Sequence, residues 1–165
     1  MAVVTRKSAA MTNRDATPRV LNDSAVVNGH KKVAKGVVSL TSGDSSTSTY
    51  LICSLPSSAI PLSVKVSCPD IGTTATMDIG LYKSTSDGGA VVDADFFKAA
   101  VDIHSGALSK SEIVNGNVVT VANMEKRIWE HLALSADSGL TYDVVGTLAA
   151  DTDAAGAVFV EIEYL

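Results

Sequence analysis

The sequence predicts an all-β fold: an antiparallel β-sandwich of jelly-roll-like form, carrying an extended N-terminal arm. Three observations predict it. Apolar residues make up 46% of the chain, much of it Ala and Val, while aromatics are only 5%, a composition that suits pleated, half-buried surfaces better than helix seams. Several segments alternate apolar and polar residues with a period of two. Turn signals rich in Gly, Pro, Asp, Asn and Ser separate those segments.

The arm comes first. Residues 1–36 carry Arg6, Lys7, Arg14, Arg19, Lys31, Lys32 and Lys35 against Asp15 and Asp23, a net charge of +5. The whole chain is −5, so residues 37–165 carry −10. The arm has no aromatic residue and no sustained apolar period, so it cannot enclose a core of its own. A basic arm on an acidic body reads as an attachment element, and those seven side chains are the candidate partner-binding set. The competing reading is a loose terminus with incidental lysines.

The body, residues 37–165, is long enough for one core of ordinary size. Its strands are read in order. Residues 37–41 and 49–55 are short apolar stretches between turns. In 62–68, Leu62, Val64, Val66 and Cys68 alternate with Ser63, Lys65 and Ser67, the pattern of a half-buried antiparallel strand. In 74–82, Ala75, Met77, Ile79 and Leu81 share one face, and Thr74, Thr76, Asp78 and Tyr82 share the other. Further strands are read at 90–92, 118–122 and 141–149. The last, 157–165, sets Val158, Val160, Ile162 and Tyr164 on one face. Turns are placed at Ser42-Gly43-Asp44, Pro56-Ser57-Ser58, Pro69-Asp70, Asp87-Gly88-Gly89, Asn115-Gly116-Asn117, Asp137-Ser138-Gly139 and Asp151-Thr152-Asp153. About eight short strands so divided favour a sandwich or jelly roll.

Two stretches depart from the alternation. Residues 95–100 read as a helical turn capped by Asp93 or Asp95. Residues 124–134 carry Ile128, Trp129 and Leu132 at helical spacing, which predicts one or two turns of helix, with a strand over 128–134 as the other reading.

Two cysteines do not make a disulfide framework. If 49–55 and 62–68 form a hairpin, Cys53 faces about Val64, leaving Cys68 roughly 13 Å away along the strand, too far for a bridge. Both thiols therefore read as small buried hydrophobes. No apolar run is long enough to span a membrane. The first fourteen residues lack the apolar centre of a secretion signal, so synthesis and use in a reducing cytoplasm, or release by lysis, is expected.

Chemistry-bearing motifs are scarce. His30, His104 and His131 stand in no metal-ligand spacing, and there is no CxxC, GxSxG, phosphate-binding loop or dinucleotide fingerprint. Asp93, Asp95 and Asp102 form the nearest thing to a cation site, although a solvated helix cap explains the same residues. A serine, His104 and Asp102 can be assembled into a triad only on paper, since a triad is defined by geometry. The arm lacks the aromatics that stack on bases, and an acidic body repels phosphate. No direct nucleic-acid contact, no enzyme activity and no cofactor are expected.

Five stretches carry a resemblance: MDIGLY at 77–82, GGAVVDADFF at 88–97, IWEHL at 128–132, LSADSGLTYDVV at 134–145 and AAGAV at 154–158. They resemble small virion structural proteins of tailed bacteriophages, in particular capsid decoration (cement) proteins, over roughly residues 37–165. The resemblance implies a jelly-roll-like body, binding to the outer capsid lattice with the major capsid protein as partner, and homotrimers at lattice symmetry points. It carries no catalytic residue. It also implies location on the capsid surface of the virion after synthesis in the host cytoplasm. A protein of this kind stabilises a shell because it binds the assembled lattice and not free subunits. Two other readings stand beside it. One is a carbohydrate-binding module of a virion fibre or adhesin, with Trp129 and a tyrosine such as Tyr82 exposed on one surface. The other is a different head or tail component.

Overall fold

The structure, a computed structural model, describes residues 6–24, 27, 29–113 and 118–165. The expected turn at Asn115-Gly116-Asn117 lies outside the described residues.

Eight strands are present among the described residues. They are β1 (Lys32–Leu40), β2 (Thr49–Pro56), β3 (Pro61–Cys68), β4 (Thr76–Lys83), β5 (Val91–Asp102), β6 (Leu108–Glu112), β7 (Thr141–Leu148) and β8 (Gly156–Tyr164). They form two four-stranded antiparallel sheets, with orders β1-β8-β3-β6 and β2-β7-β4-β5. The expected all-β sandwich is therefore the observed one. Outside the sheets, the described residues include the α-helices α1 (Ala9–Asp15) and α2 (Ile128–His131) and a 3-10 turn at Thr85–Asp87. The short α2 lies within the stretch read as helical.

Alternation sets the core. Val64 and Val66 of β3 and Val158, Val160 and Ile162 of β8 point inward from the first sheet. Met77, Ile79 and Leu81 of β4 and Tyr142, Val144 and Leu148 of β7 meet them from the second. Each such side chain gains roughly 1.5–3 kcal/mol on burial. The expected face of 74–82 holds: Ala75, Met77, Ile79 and Leu81 are buried, while Thr74, Thr76, Asp78 and Tyr82 are not.

Four expectations are corrected. Residues 95–100 are strand, not helix, and belong to β5. Ile79 and Leu81 stand two apart on β4, yet their partners Lys98 and Asp93 stand five apart on β5. The extra residues form a wide bulge that turns both Phe96 and Phe97 inward, and this consecutive apolar pair imitates a helical period. Residues 118–122 form turns, with Met124 N donating to Thr120 O at 2.8 Å. β-Branched residues favour a strand only where a neighbour offers hydrogen bonds. The remaining strand is β6, whose sequence LSKSE holds a single apolar residue and so shows no alternation. Finally, β2 and β3 are not a hairpin, since they lie in different sheets. Cys53 pairs with Val144 and Cys68 with Leu108, and both thiols are free.

β1 begins at Lys32, five residues before the expected strand start. Its inward residues include Ala34 and Gly36, whose small size hides the alternation. Gly36 is required by a close approach: a Cβ there would lie 2.0 Å from the carbonyl oxygen of Ile52. Ile52 is the extra residue of a β2 bulge, so the β1 and β2 edges close against each other at that point.

Candidate functional site

The candidate partner-binding residues fall into two groups. Arg6, Lys7, Arg14 and Arg19 surround α1, while Lys31, Lys32 and Lys35 lie at the start of β1. The structure does not bring the two groups together into one basic cluster.

α1 forms because Ser8 caps it and Ala9, Ala10 and Met11 favour helix. The Ser8 hydroxyl accepts from Met11 N at 3.4 Å. The helix ends before Pro18, which forces the preceding residue out of the helical region. Lys7 Nζ and Arg14 Nε each stand 2.7 Å from the Asp15 carboxylate. The two cations, Arg14 foremost, hold the Asp15 carboxyl below the usual range. Arg6 and Arg19 are exposed. The loop after α1 folds back on it: Asn13 Nδ2 donates to Asn22 Oδ1 at 2.9 Å, and Asn22 Nδ2 donates to Ala10 O at 3.1 Å. No residue of α1 is buried. An ion pair between Asp23 and Arg127 ties this arm to the body.

The second group faces an acidic ladder. Lys31 Nζ lies 3.0 Å and Lys65 Nζ 2.8 Å from the Glu163 carboxylate. Lys65 first, then Lys31, holds the Glu163 carboxyl down at about 2. Lys35 stands opposite Glu161 in register and Lys32 opposite Tyr164. Lys110 Nζ approaches Glu161 at 3.6 Å. The outer face of this sheet is thus a lattice of opposite charges, with Val33 and Val37 exposed beside it. Period-two reading of β1 and β8 hints at this ladder. Nothing in the sequence pairs Asp23 with Arg127, which are 104 residues apart.

The three aspartates do not converge. Asp93 and Asp95 line a cavity of about 270 Å³ with Phe96, Asn123, Lys126 and His131. Burial, followed by the hydrogen bond with Asp95, pushes the Asp93 carboxyl up. Burial lowers the basicity of His131; its ring meets Phe96 edge to face at 5.7 Å, and its buried Nε2 has no hydrogen-bond partner. Asp102 sits at the other end of β5: Asp93 pairs with Leu81 and Asp102 with Thr76, about 17 Å apart along the strand. Among the described residues, no three His, Cys, Asp or Glu side chains converge as a cation site.

Asp102 organises a turn. Its Oδ1 accepts from His104 N and Ser105 N, both at 2.9 Å, and its pKa is lowered to about 2, chiefly by the Ser105 hydroxyl. His104 Nδ1 lies 3.0 Å from both Asp102 Oδ1 and Ala75 O. The Ser105 hydroxyl is thus bonded to the carboxylate rather than to the imidazole, which is not the order of a nucleophile and its base.

Two further concavities remain. Tyr82, Leu51, Lys83, Asp143 and Val145 line a trough of about 280 Å³ on the outer face of the second sheet. Ile60, Pro61, Leu62, Val119 and Met124 line an apolar groove of about 270 Å³ with Glu125 at its rim. Trp129 is half-buried on α2, its backbone N donating to Ser57 O at 3.1 Å.

No family model and no curated protein matches this sequence. Two solved structures match in shape over most of the chain. A chain of the Cyanophage Pam1 capsid asymmetric unit aligns with a TM-score of 0.55 and 22% identity, over 82% of this chain and 84% of that one. A chain of the capsid of Ralstonia phage GP4 aligns with a TM-score of 0.61 and 14% identity, over 83% of this chain and 84% of that one. At these identities the likeness is one of fold, and this chain shares the two-sheet architecture of chains found in phage capsids.

Proposed function

We propose that this chain is a structural protein of a bacteriophage virion. It binds the major capsid protein on the outer face of the head as a decoration, or cement, protein and stabilises the shell. The observation that carries this reading is the fold shared with two phage capsid chains across more than four-fifths of each molecule. The sequence resemblance to virion structural proteins points the same way.

The strand order supports the finer reading of the body as a jelly roll. A long antiparallel ribbon of eight strands pairs first with last and second with seventh, then third with sixth and fourth with fifth. Rolled into two sheets, it has the orders β1-β8-β3-β6 and β2-β7-β4-β5, which are the orders seen here.

The protein acts by binding and not by catalysis. Its polar clusters favour this, since the Asp102, His104 and Ser105 side chains are engaged in a turn. Copies associate as homotrimers at symmetry points of the lattice. Basic side chains of the N-terminal region contact the capsid surface, and no nucleic acid or membrane is involved.

The test uses undecorated capsids. Capsids saturated with the protein should release DNA at a higher temperature than bare ones, because a ligand of the intact lattice shifts the equilibrium towards it. Equal release at saturating occupancy would remove the cement role.

A second reading, glycan binding on a virion fibre or adhesin, draws on the outer trough, where Tyr82 stands beside Lys83 and Asp143. A glycan array on the wild type and on Tyr82→Ala and Trp129→Ala variants separates it from the first.

A further inference from the structure

The apolar groove at Ile60, Leu62, Val119 and Met124 lies beside an equally open apolar knob. In the loop after α1, Leu21 is 88% exposed and Val20 48%. This loop is braced against α1. Val20 N donates to Asn13 O at 3.2 Å, and Asn22 is bonded to both Asn13 and Ala10. The root of the knob is fixed as well, because Asp23 pairs with Arg127. Arg127 follows the groove residues Met124 and Glu125 by three and two positions. Knob and groove therefore stand close together on one molecule, yet neither buries the other: Met124 remains 47% exposed.

We propose that Val20 and Leu21 of one copy seat in the groove of a neighbouring copy, and that Arg19 meets Glu125 on its rim. This rests on the reading above that copies of the chain associate. The charges favour this occupant: residues 1–31, which precede β1, carry five cations against Asp15 and Asp23 and are +3, so with the chain at −5 residues 32–165 are −8; two bodies repel while an arm and a foreign body attract. Each copy offers one knob and one groove at different places on its surface. Such a contact is head-to-tail, and it satisfies every copy when it closes around a rotation axis into a ring.

Full-length Leu21→Cys and Met124→Cys variants, each in a Cys53→Ser background, test the contact. Mixed and oxidised, they should give a disulfide-linked dimer that neither gives alone. Leu21→Asp and Met124→Asp should each lower the assembly mass in light scattering towards the monomer, with the β-rich circular dichroism spectrum kept, since both residues are exposed on the single chain. A Leu21→Asp protein of wild-type assembly mass, with no cross-link in the mixture, overturns the contact and leaves association standing. The same result with loss of binding to undecorated capsids also overturns it, and assigns the knob to the capsid instead. An intrachain bridge in a Leu21→Cys/Met124→Cys chain at high dilution overturns it in favour of the molecule's own groove. A wild-type chain that stays monomeric throughout the micromolar range overturns the contact and the reading of association together.

Discussion

Gly80 shows how much one side chain decides. It faces outward from β4, and a Cβ there would lie 2.2 Å from the Ala94 carbonyl oxygen, within the β5 bulge that crosses it. The obstruction is backbone, so it cannot swing aside. Gly80→Ala should therefore cost about 1–3 kcal/mol, the usual range for overpacking, as a shift in the denaturant midpoint. An unchanged midpoint would mean that the bulge moves freely. On the inner face of the same strand, Ile79 is 1% exposed, and Ile79→Ala should cost about 2–5 kcal/mol. Charge acts on stability through the acid limb. The carboxyls of Glu163 and Asp102 are both held down at about 2, below ordinary values of 4.5 and 3.8. A depressed folded-state pKa stabilises above the unfolded value, and that contribution is lost as pH falls through the folded one. The melting temperature should fall as pH drops from about 5 to 2, and Glu163→Gln should flatten the fall. A wild-type melt that ignores pH in this window would contradict the pairing of Glu163 with Lys31 and Lys65.

At the scale of elements, the join between arm and body matters most. The arm expected from charge runs to residue 36, whereas the first strand begins at Lys32. From Lys32 to Leu40 this strand is hydrogen-bonded to β8, and Gly36 packs on the β2 backbone. Among the described residues before 32, Asp23 pairs with Arg127 and Lys31 with Glu163. Exposed pairs of this kind typically contribute about 0–1 kcal/mol. Removing residues 1–31 should thus leave the thermal melt within a few degrees of wild type. Removing residues 1–36 should strip half of β1 and lower the melt far more. If the two truncations melt alike, β1 does not close the sandwich. The shorter truncation is also the proper one for measuring what the arm adds to capsid binding. Lost affinity in a folded body supports attachment through the arm, and retained affinity opposes it.

For the whole molecule, neither thiol enters a covalent staple, since both cysteines are free and their strands lie in different sheets. Cohesion comes from one core between two sheets. Melts with and without reductant should overlay, and a drop of several degrees on adding reductant would demand a disulfide absent from this fold. In the proposed cement role, the net charges of arm and body make salt a diagnostic. Affinity for undecorated capsids should fall as ionic strength rises if the arm contact is ionic, because the screening length shortens to about 8 Å at physiological salt. Salt-independent binding would point to an apolar contact such as the Leu21 knob.

The sequence alone determined what depends on near neighbours. Period-two alternation is enough to assign β3, β4 and β8 and their buried faces, because a half-buried strand must alternate wherever it lies. Charge segregation marks the basic arm, and Gly, Pro and Asp clusters mark most turns. Tertiary structure decided whatever depends on residues far apart. Edge strand β6, with one apolar residue, is a strand because β3 offers it hydrogen bonds. The β5 bulge exists because Gly80 leaves room for it and the core takes Phe96 and Phe97 together. Cys53 and Cys68 part because β2 and β3 belong to different sheets. The basic residues divide between two places because their acidic partners, Asp15 and Glu163, stand at opposite ends of the sequence. Local pattern records what a residue faces, in or out, whereas the identity of what it faces is set only when the sheets close.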